Sequence, residues 1–90
     1  MGKGGVVSGS FFVLHYIKQN IPQYAFVVPK KIAKTAVKRN SLRRMGYNIL
    51  RSYNITSCAG IFFFKKEALI APIFEIKKDV DFILKKAKII

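Results

Sequence analysis

The chain has 90 residues, a length that supports one small hydrophobic core and excludes two separate domains. It carries 17 Lys and Arg against 4 Asp and Glu, and the resulting formal net charge of +13 indicates a polyanionic partner. All of the acids lie from Glu67 onward, so the first 66 residues contain no carboxylate side chain.

Several classes of protein are excluded by what the sequence lacks. No secretory signal is present, and no apolar run reaches the ~18 residues that span a bilayer, which predicts a cytoplasmic protein without a membrane partner. Cys58 is the single cysteine, so a disulfide is excluded and Cys58 is expected to be a small buried residue. Glu75 and Asp79 lie one helical turn apart and could share a metal ion, although acids at a helix start are the commoner arrangement.

The N-terminal half begins with a segment that has no periodic pattern. Residues 1–9 are rich in Gly and small side chains and are predicted to be a flexible lead-in to a single domain over residues 1–90. Residues 11–18 and 24–28 combine aromatic and β-branched side chains, which predicts two strands. The turn signal Asn20-Ile21-Pro22 separates them, and Pro29 ends the second strand.

A helical period begins near residue 32 and continues to residue 53. One apolar stripe has members three or four positions apart, namely Leu42, Met45, Ile49 and Tyr53. The opposite side is polar and cationic, with Arg44 at its edge and Arg39, Asn40, Arg43, Tyr47 and Arg51 across it. Gly46 lies in the middle of this helix, where it costs about 1 kcal/mol relative to Ala.

Two further elements complete the chain. Residues 59–64 form an apolar run that predicts a buried strand, with Phe62, Phe63 and Phe64 in the core. After Pro72 a second helical stripe follows, comprising Ile76, Val80, Ile83 and Ala87. Acids at its start and lysines at its end suit the helix dipole. The predicted order is therefore strand, strand, helix, strand, helix.

The densest charge lies where the second strand meets the first helix. Its seven cations are Lys30, Lys31, Lys34, Lys38, Arg39, Arg43 and Arg44. A solvated charge run is the usual explanation of a basic stretch, but here no neighbouring acid balances the repulsion. A phosphate backbone would balance it, because each cation placed beside a phosphate releases condensed counterions.

Residues 26–44, which read FVVPKKIAKTAVKRNSLRR, resemble the signature of the bacterial ribonuclease P protein family. In that family a strand ends in Lys-Lys, and a helix then opens with Arg-Asn-Arg and further basic residues. The resemblance extends over about residues 8–88. It implies an α+β fold like the second domain of ribosomal protein S5, with a small central mixed β-sheet, a left-handed strand-helix-strand crossover and a C-terminal helix. Physical preference alone predicts a right-handed crossover.

The resemblance also implies a division of labour. A catalytic RNA with its Mg²⁺ ions removes the 5′ leader of precursor tRNA, while the protein has no cofactor, no catalytic residue and no protein partner. The resemblance implies that RNA is bound by Lys30, Lys31, Arg39, Asn40, Arg43 and Arg44. The charge pattern adds Lys34, Lys38 and Arg51 to these RNA-binding residues. The implied leader-binding face consists of Phe11, Val13, His15 and Ile17, on which His15 either stacks a base or is an ordinary strand residue.

The sequence departs from the family pattern in three places. Ser41 stands where the family has its second Arg. Gly46 and Tyr47 replace an aliphatic and a basic residue, which predicts a shorter or kinked helix. Residues 1–10 are too short and too rich in Gly to form the helix that precedes the first strand in the family.

Two other functions share some of these features. A ribosomal or general RNA-binding protein would have the charge but would not need the Lys-Lys turn that leads into Arg-Asn. A peripheral membrane protein could use the basic amphipathic helix on anionic lipid, but the apolar stripe of that helix is needed for the core.

Overall fold

The structure is a computed structural model that describes residues 4–19, 22–53, 55 and 58–89. The elements in chain order are β1 (Gly4–Ser8), β2 (Phe12–Lys18), β3 (Gln23–Val27), α1 (Ala36–Leu50), β4 (Cys58–Phe64), a 3₁₀ helix (Lys66–Leu69) and α2 (Ile73–Lys86). The predicted order of strands and helices is confirmed, and one strand precedes it.

The additional strand, β1, lies where the sequence predicts a flexible lead-in, and that prediction is wrong for residues 4–8. β1 pairs antiparallel with β2, with Val6 opposite His15. Its glycines indicate flexibility in a sequence, but Gly5 meets a packing requirement here. A Cβ at Gly5 would lie 2.7 Å from the Tyr16 hydroxyl oxygen, so glycine lets β1 pair with β2 without displacing the Tyr16 side chain. Because of its pairing with β2, the first described element is a strand.

The four strands form a mixed sheet in the order β1-β2-β4-β3. β2 pairs antiparallel with β1 and β4, whereas β3 and β4 are parallel neighbours. Parallel neighbours need a crossover connection, and α1 supplies it. The predicted α+β fold, with its mixed sheet and its strand-helix-strand crossover, is confirmed.

One face of the sheet carries the hydrophobic core. Phe12, Phe62 and Phe26 are almost fully buried there, and the rings of Phe26 and Phe62 stack with their centroids 4.9 Å apart. Both helices bury their apolar sides in the same cluster, α1 through Leu42 and Ile49 among others, and α2 through a set that includes Ile76, Val80, Ile83 and Leu84. In the described part of the chain, the helices thus cover one face of the sheet and leave the other open.

Helix α1 is shorter at both ends than the predicted span of residues 32–53. It begins at Ala36 because Thr35 is its N-cap, with the hydroxyl oxygen accepting a hydrogen bond from the Lys38 amide at 3.2 Å. The residues before it form a turn in which the Ile32 amide donates to the Pro29 carbonyl at 3.0 Å. The basic residues before Thr35 therefore lie on this turn.

Candidate RNA-binding surfaces

The first candidate surface combines the turn of residues 29–35 with the outer side of α1. We call it the basic surface, and its members are Lys30, Lys31, Lys34, Lys38, Arg39, Asn40, Arg43, Arg44 and Arg51. All of these except Arg39 and Arg43, which are half-buried, are exposed. Within the described residues none of its cations has an ion pair with an acid, since the one such pair found joins Lys85 to Asp81. The charge of this surface is therefore available to an external anion.

Arg39 has a different environment from its neighbours. Its guanidinium donates hydrogen bonds to the backbone carbonyls of Ala33 and Lys34, both at 3.0 Å. These contacts tie the turn that carries Lys30, Lys31 and Lys34 to the first turn of the helix. Sequence patterning places Arg39 on the cationic side but does not reveal this positioning role.

Asn40 and Arg43 form a local pair on α1. The Arg43 guanidinium donates a hydrogen bond to the Asn40 side-chain oxygen one helical turn earlier. The pair restrains the Arg43 guanidinium, which has further N–H donors that can bind a phosphate. Ser41, at the position where the resemblance predicts an Arg, is exposed beside them.

Tyr47 lies away from the basic surface, although the sequence pattern includes it there. Its ring contacts Phe26 edge-on at a centroid distance of 5.1 Å, and its hydroxyl donates to the Tyr24 carbonyl at 3.5 Å. Tyr47 therefore packs towards β3. Near the C-terminal end of α1 the basic surface therefore includes Arg51, which is exposed, but not Tyr47.

The second candidate surface is the uncovered face of the sheet, which we call the open sheet face. Directly paired residues point to the same face of a sheet, so the register of the strands defines its members. They include Val6, Val13, His15, Ile17, Val27, Ile61 and Phe63. Three of the four predicted leader-face residues, namely Val13, His15 and Ile17, thus lie together on this face.

His15 lies near the middle of the open sheet face. It is exposed, and its ring meets Phe63 edge-on with centroids 5.2 Å apart. A shallow cavity of about 290 Å³ beside it is lined by Ile17 and Ile61, among others. An exposed ring above an apolar floor is the arrangement on which an unpaired base can stack.

Phe63 and Phe11 occupy positions that differ from the predictions. Phe63 is half-buried on the open sheet face and is not in the core, because β4 alternates between two faces and the run of three aromatics hides that alternation. Phe11 does not join the row of His15. It precedes β2 and lines a cavity with Asp79 and Phe82 of α2, because its backbone amide donates to the Asp79 carboxylate at 2.9 Å.

Two of the three acids of α2, Asp79 and Asp81, are engaged in structural contacts. Asp79 is buried, and its two oxygens accept hydrogen bonds from the Ser10 and Phe11 amides. Asp81 accepts from Lys85 and from the Tyr53 hydroxyl, and these contacts hold the pKa of its carboxyl below the usual range. Across the described ranges, no group of three or more His, Cys, Asp or Glu side chains is placed to hold a metal ion. No described helix is both long and apolar enough to cross a membrane.

Comparison with known proteins identifies the family. The family model described as Ribonuclease P matches residues 1–88. Among solved structures, a Staphylococcus aureus ribonuclease P protein, a mutant with defective mRNA degradation activity, superposes with a TM-score of 0.85 at 22% identity, covering 98% of this chain and 78% of that one. The Thermotoga maritima ribonuclease P protein gives 0.80 at 18% identity, covering 93% and 84%. No curated protein sequence matches. The family model and the shared fold together establish that the chain belongs to the ribonuclease P protein family.

Proposed function

We propose that the chain is the protein subunit of a ribonuclease P, which binds the catalytic RNA and the 5′ leader of precursor tRNA. The observation that carries the proposal is the presence of two different surfaces on opposite sides of one sheet. The basic surface offers cations without acidic partners in the described part of the chain, and the open sheet face offers exposed apolar and aromatic side chains. A subunit that holds a folded RNA and an extended strand needs both.

The basic surface suits the catalytic RNA. Arg43 and Arg44 lie on α1, and Arg39 ties the turn that carries the lysines to the first turn of that helix. Fixed donors match the closely spaced phosphates of a folded RNA, and each neutralised phosphate adds counterion release to the binding free energy.

The open sheet face suits the leader. An extended single strand binds through stacking of its bases on aromatic side chains. Such a surface accepts leaders of different sequence, because every base has a flat face. His15 and Phe63 supply rings, and Lys30 and Lys31 follow β3 at the edge of the sheet, where they can contact phosphates.

The hydrolysis itself is assigned to the catalytic RNA and its Mg²⁺ ions. Catalysis by the protein would need clustered carboxylates or a nucleophile beside a base. The sequence contains a single His, at position 15, and Asp79 and Asp81 are engaged in structural contacts. The protein contributes binding and positioning.

A gel-shift titration tests the assembly. A bacterial ribonuclease P RNA should bind more tightly than a structured control RNA of equal length, at matched salt. A general RNA-binding protein would bind both equally, and that result would contradict the assignment. Arg43→Ala should weaken this binding. Lys86→Ala is the charge-matched control and should not weaken it, because Lys86 is an exposed cation on α2, outside the basic surface.

A further inference from the structure

A cavity of about 500 Å³ lies between α2 and the turn that joins β1 to β2. We call it the turn–helix groove. The side chains that matter for its chemistry are Ser10, Phe11, Glu75, Lys78, Asp79 and Phe82. None of them belongs to the basic surface or to the open sheet face, and the assembly proposed above does not use the groove.

The groove has one wall that is fixed by hydrogen bonds. Asp79 is 7% exposed, and its two carboxylate oxygens accept from the Ser10 amide at 2.8 Å and from the Phe11 amide at 2.9 Å. Hydrogen bonds to a buried carboxylate are stronger than neutral ones. The turn is therefore held against α2, and the Phe11 ring is set into the wall of the groove before any ligand arrives.

The other wall combines the Phe82 ring with the Lys78 cation, and Phe74 lies next to this wall on the same helix. Phe74, Lys78 and Phe82 are spaced four residues apart and therefore lie along one side of α2. Phe82 is 50% exposed and Phe74 is 57% exposed, so these rings are not needed to complete the core. The Lys78 ammonium lies 5.8 Å from the centroid of the Phe74 ring, a cation–π contact that keeps it beside the groove.

The charges around the groove favour an anion that also carries a hydrogen-bond donor. Asp79 is engaged by the turn, and Asp81 is paired with Lys85 at 3.0 Å, while Lys77 and Lys86 on the same helix are exposed. Glu75 lines the groove and can accept a hydrogen bond. A carboxylate in this position matches an exocyclic amino group, such as N4 of cytosine, and disfavours the carbonyl that uracil presents there.

We propose that the turn–helix groove binds one unstacked nucleotide of a single-stranded RNA. The base enters between Phe11 and Phe82, the phosphate lies at Lys78, and the amino group of cytosine or adenine donates to Glu75. A membrane surface fits this site less well, because anionic lipid headgroups would meet the Glu75 carboxylate. The proposal does not rest on the role in ribonuclease P.

Amide NMR of the ¹⁵N-labelled protein tests the groove directly. Cytidine 5′-monophosphate should shift the Ser10, Phe11, Lys78 and Phe82 amides in a saturable way, and uridine 5′-monophosphate should bind at least about threefold more weakly, because it lacks the amino group. Inorganic phosphate alone should leave the Ser10 and Phe11 amides unshifted. Phe82→Ala should weaken the binding of the cytidine nucleotide by about fivefold or more, as expected for one lost stacking contact.

Two control variants separate this site from others. Ile73→Ala removes an apolar side chain that is 47% exposed on the same helix but does not line the groove, and it should bind like the parent. His15→Ala lies on the open sheet face and should also leave the titration unchanged, so failure of the leader assignment would not be mistaken for failure of the groove.

Three results would overturn the proposal. The first is an absence of shifts at the turn and α2, and the second is equal binding by Phe82→Ala and the parent. The third is binding to phosphatidylglycerol vesicles that depends on Phe82 without any response to the nucleotide, which would make the groove a membrane contact.

Discussion

Gly46 of α1 lies directly against the ring of Phe26 in β3. A Cβ built at Gly46 would lie 2.6 Å from a ring carbon of Phe26, far inside van der Waals contact. The Phe26 ring also stacks on Phe62 and is met edge-on by Tyr47, so it has little room to move away. The glycine that lowers helix propensity thus allows the helix to approach the sheet closely.

This contact predicts that Gly46→Ala destabilises the protein. Ala is the better helix former by about 1 kcal/mol, but overpacking a filled site costs about 1–3 kcal/mol, so the net change should be a loss of stability. The midpoint of urea unfolding measures it. Ser41→Ala, at an exposed position of the same helix, should be neutral or slightly stabilising. Equal stability of Gly46→Ala and the parent would show that Phe26 can move aside.

Asp79→Asn should destabilise the junction of the β1–β2 turn with α2. An amide has only one acceptor oxygen, so one of the two backbone donors at Ser10 and Phe11 would lose its partner, at a cost of about 1–3 kcal/mol. Hydrogen exchange of those two amides, together with thermal unfolding, measures the effect. Glu75→Gln, which is exposed on the same helix, should change neither quantity, and an equal effect of both variants would contradict the structural role of Asp79.

Arg39→Ala together with Arg43→Ala should weaken assembly with the catalytic RNA and should affect leader binding only indirectly. Arg43 would lose direct phosphate contacts, while Arg39 would release the turn from the Ala33 and Lys34 carbonyls. Affinity of the parent should fall steeply with salt, with a slope of about −0.9 per phosphate neutralised in duplex regions, and the double variant should have a shallower slope. An unchanged slope would exclude the basic surface as the RNA contact.

His15→Ala should leave assembly with the catalytic RNA intact and reduce the preference for precursor over mature tRNA. The loss should be up to about 1–3 kcal/mol if His15 stacks on a leader base. Competitive binding of precursor and mature tRNA to the assembled complex measures the preference. His15→Phe should retain the preference for precursor tRNA, because an aromatic ring remains at this position. If His15→Ala discriminates precursor from mature tRNA as well as the parent does, His15 is an ordinary strand residue.

The elements whose apolar residues recur at regular spacing could be predicted from the sequence, because burial of one side of an element sets that spacing. The stripe of Leu42, Met45 and Ile49 indicates α1 for this reason. β1 could not be predicted, since its partners are in β2 and its glycines pack against Tyr16. Sequence spacing grouped Phe11 with the row of His15, but a hydrogen bond from its amide to Asp79, which is 68 residues away, places it beside α2.

For the candidate surfaces, the sequence predicts which residues carry the charge but not the contacts that position them. Lysines and arginines on one helix side are visible in the sequence because charge avoids the core. The contacts of Arg39 with two carbonyls and of Tyr47 with Phe26 depend on where the turn and β3 lie in space, and local spacing does not encode that.

The central claim is that this chain assists a catalytic RNA in removing the leader from precursor tRNA. The most direct measurement is the rate of precursor-tRNA cleavage by a bacterial ribonuclease P RNA at low Mg²⁺ concentration, with and without the purified protein. We predict cleavage at the mature 5′ end that the protein accelerates, with no cleavage by the protein alone. An unchanged rate, or cleavage of precursor tRNA by the purified protein without RNA, would contradict the account.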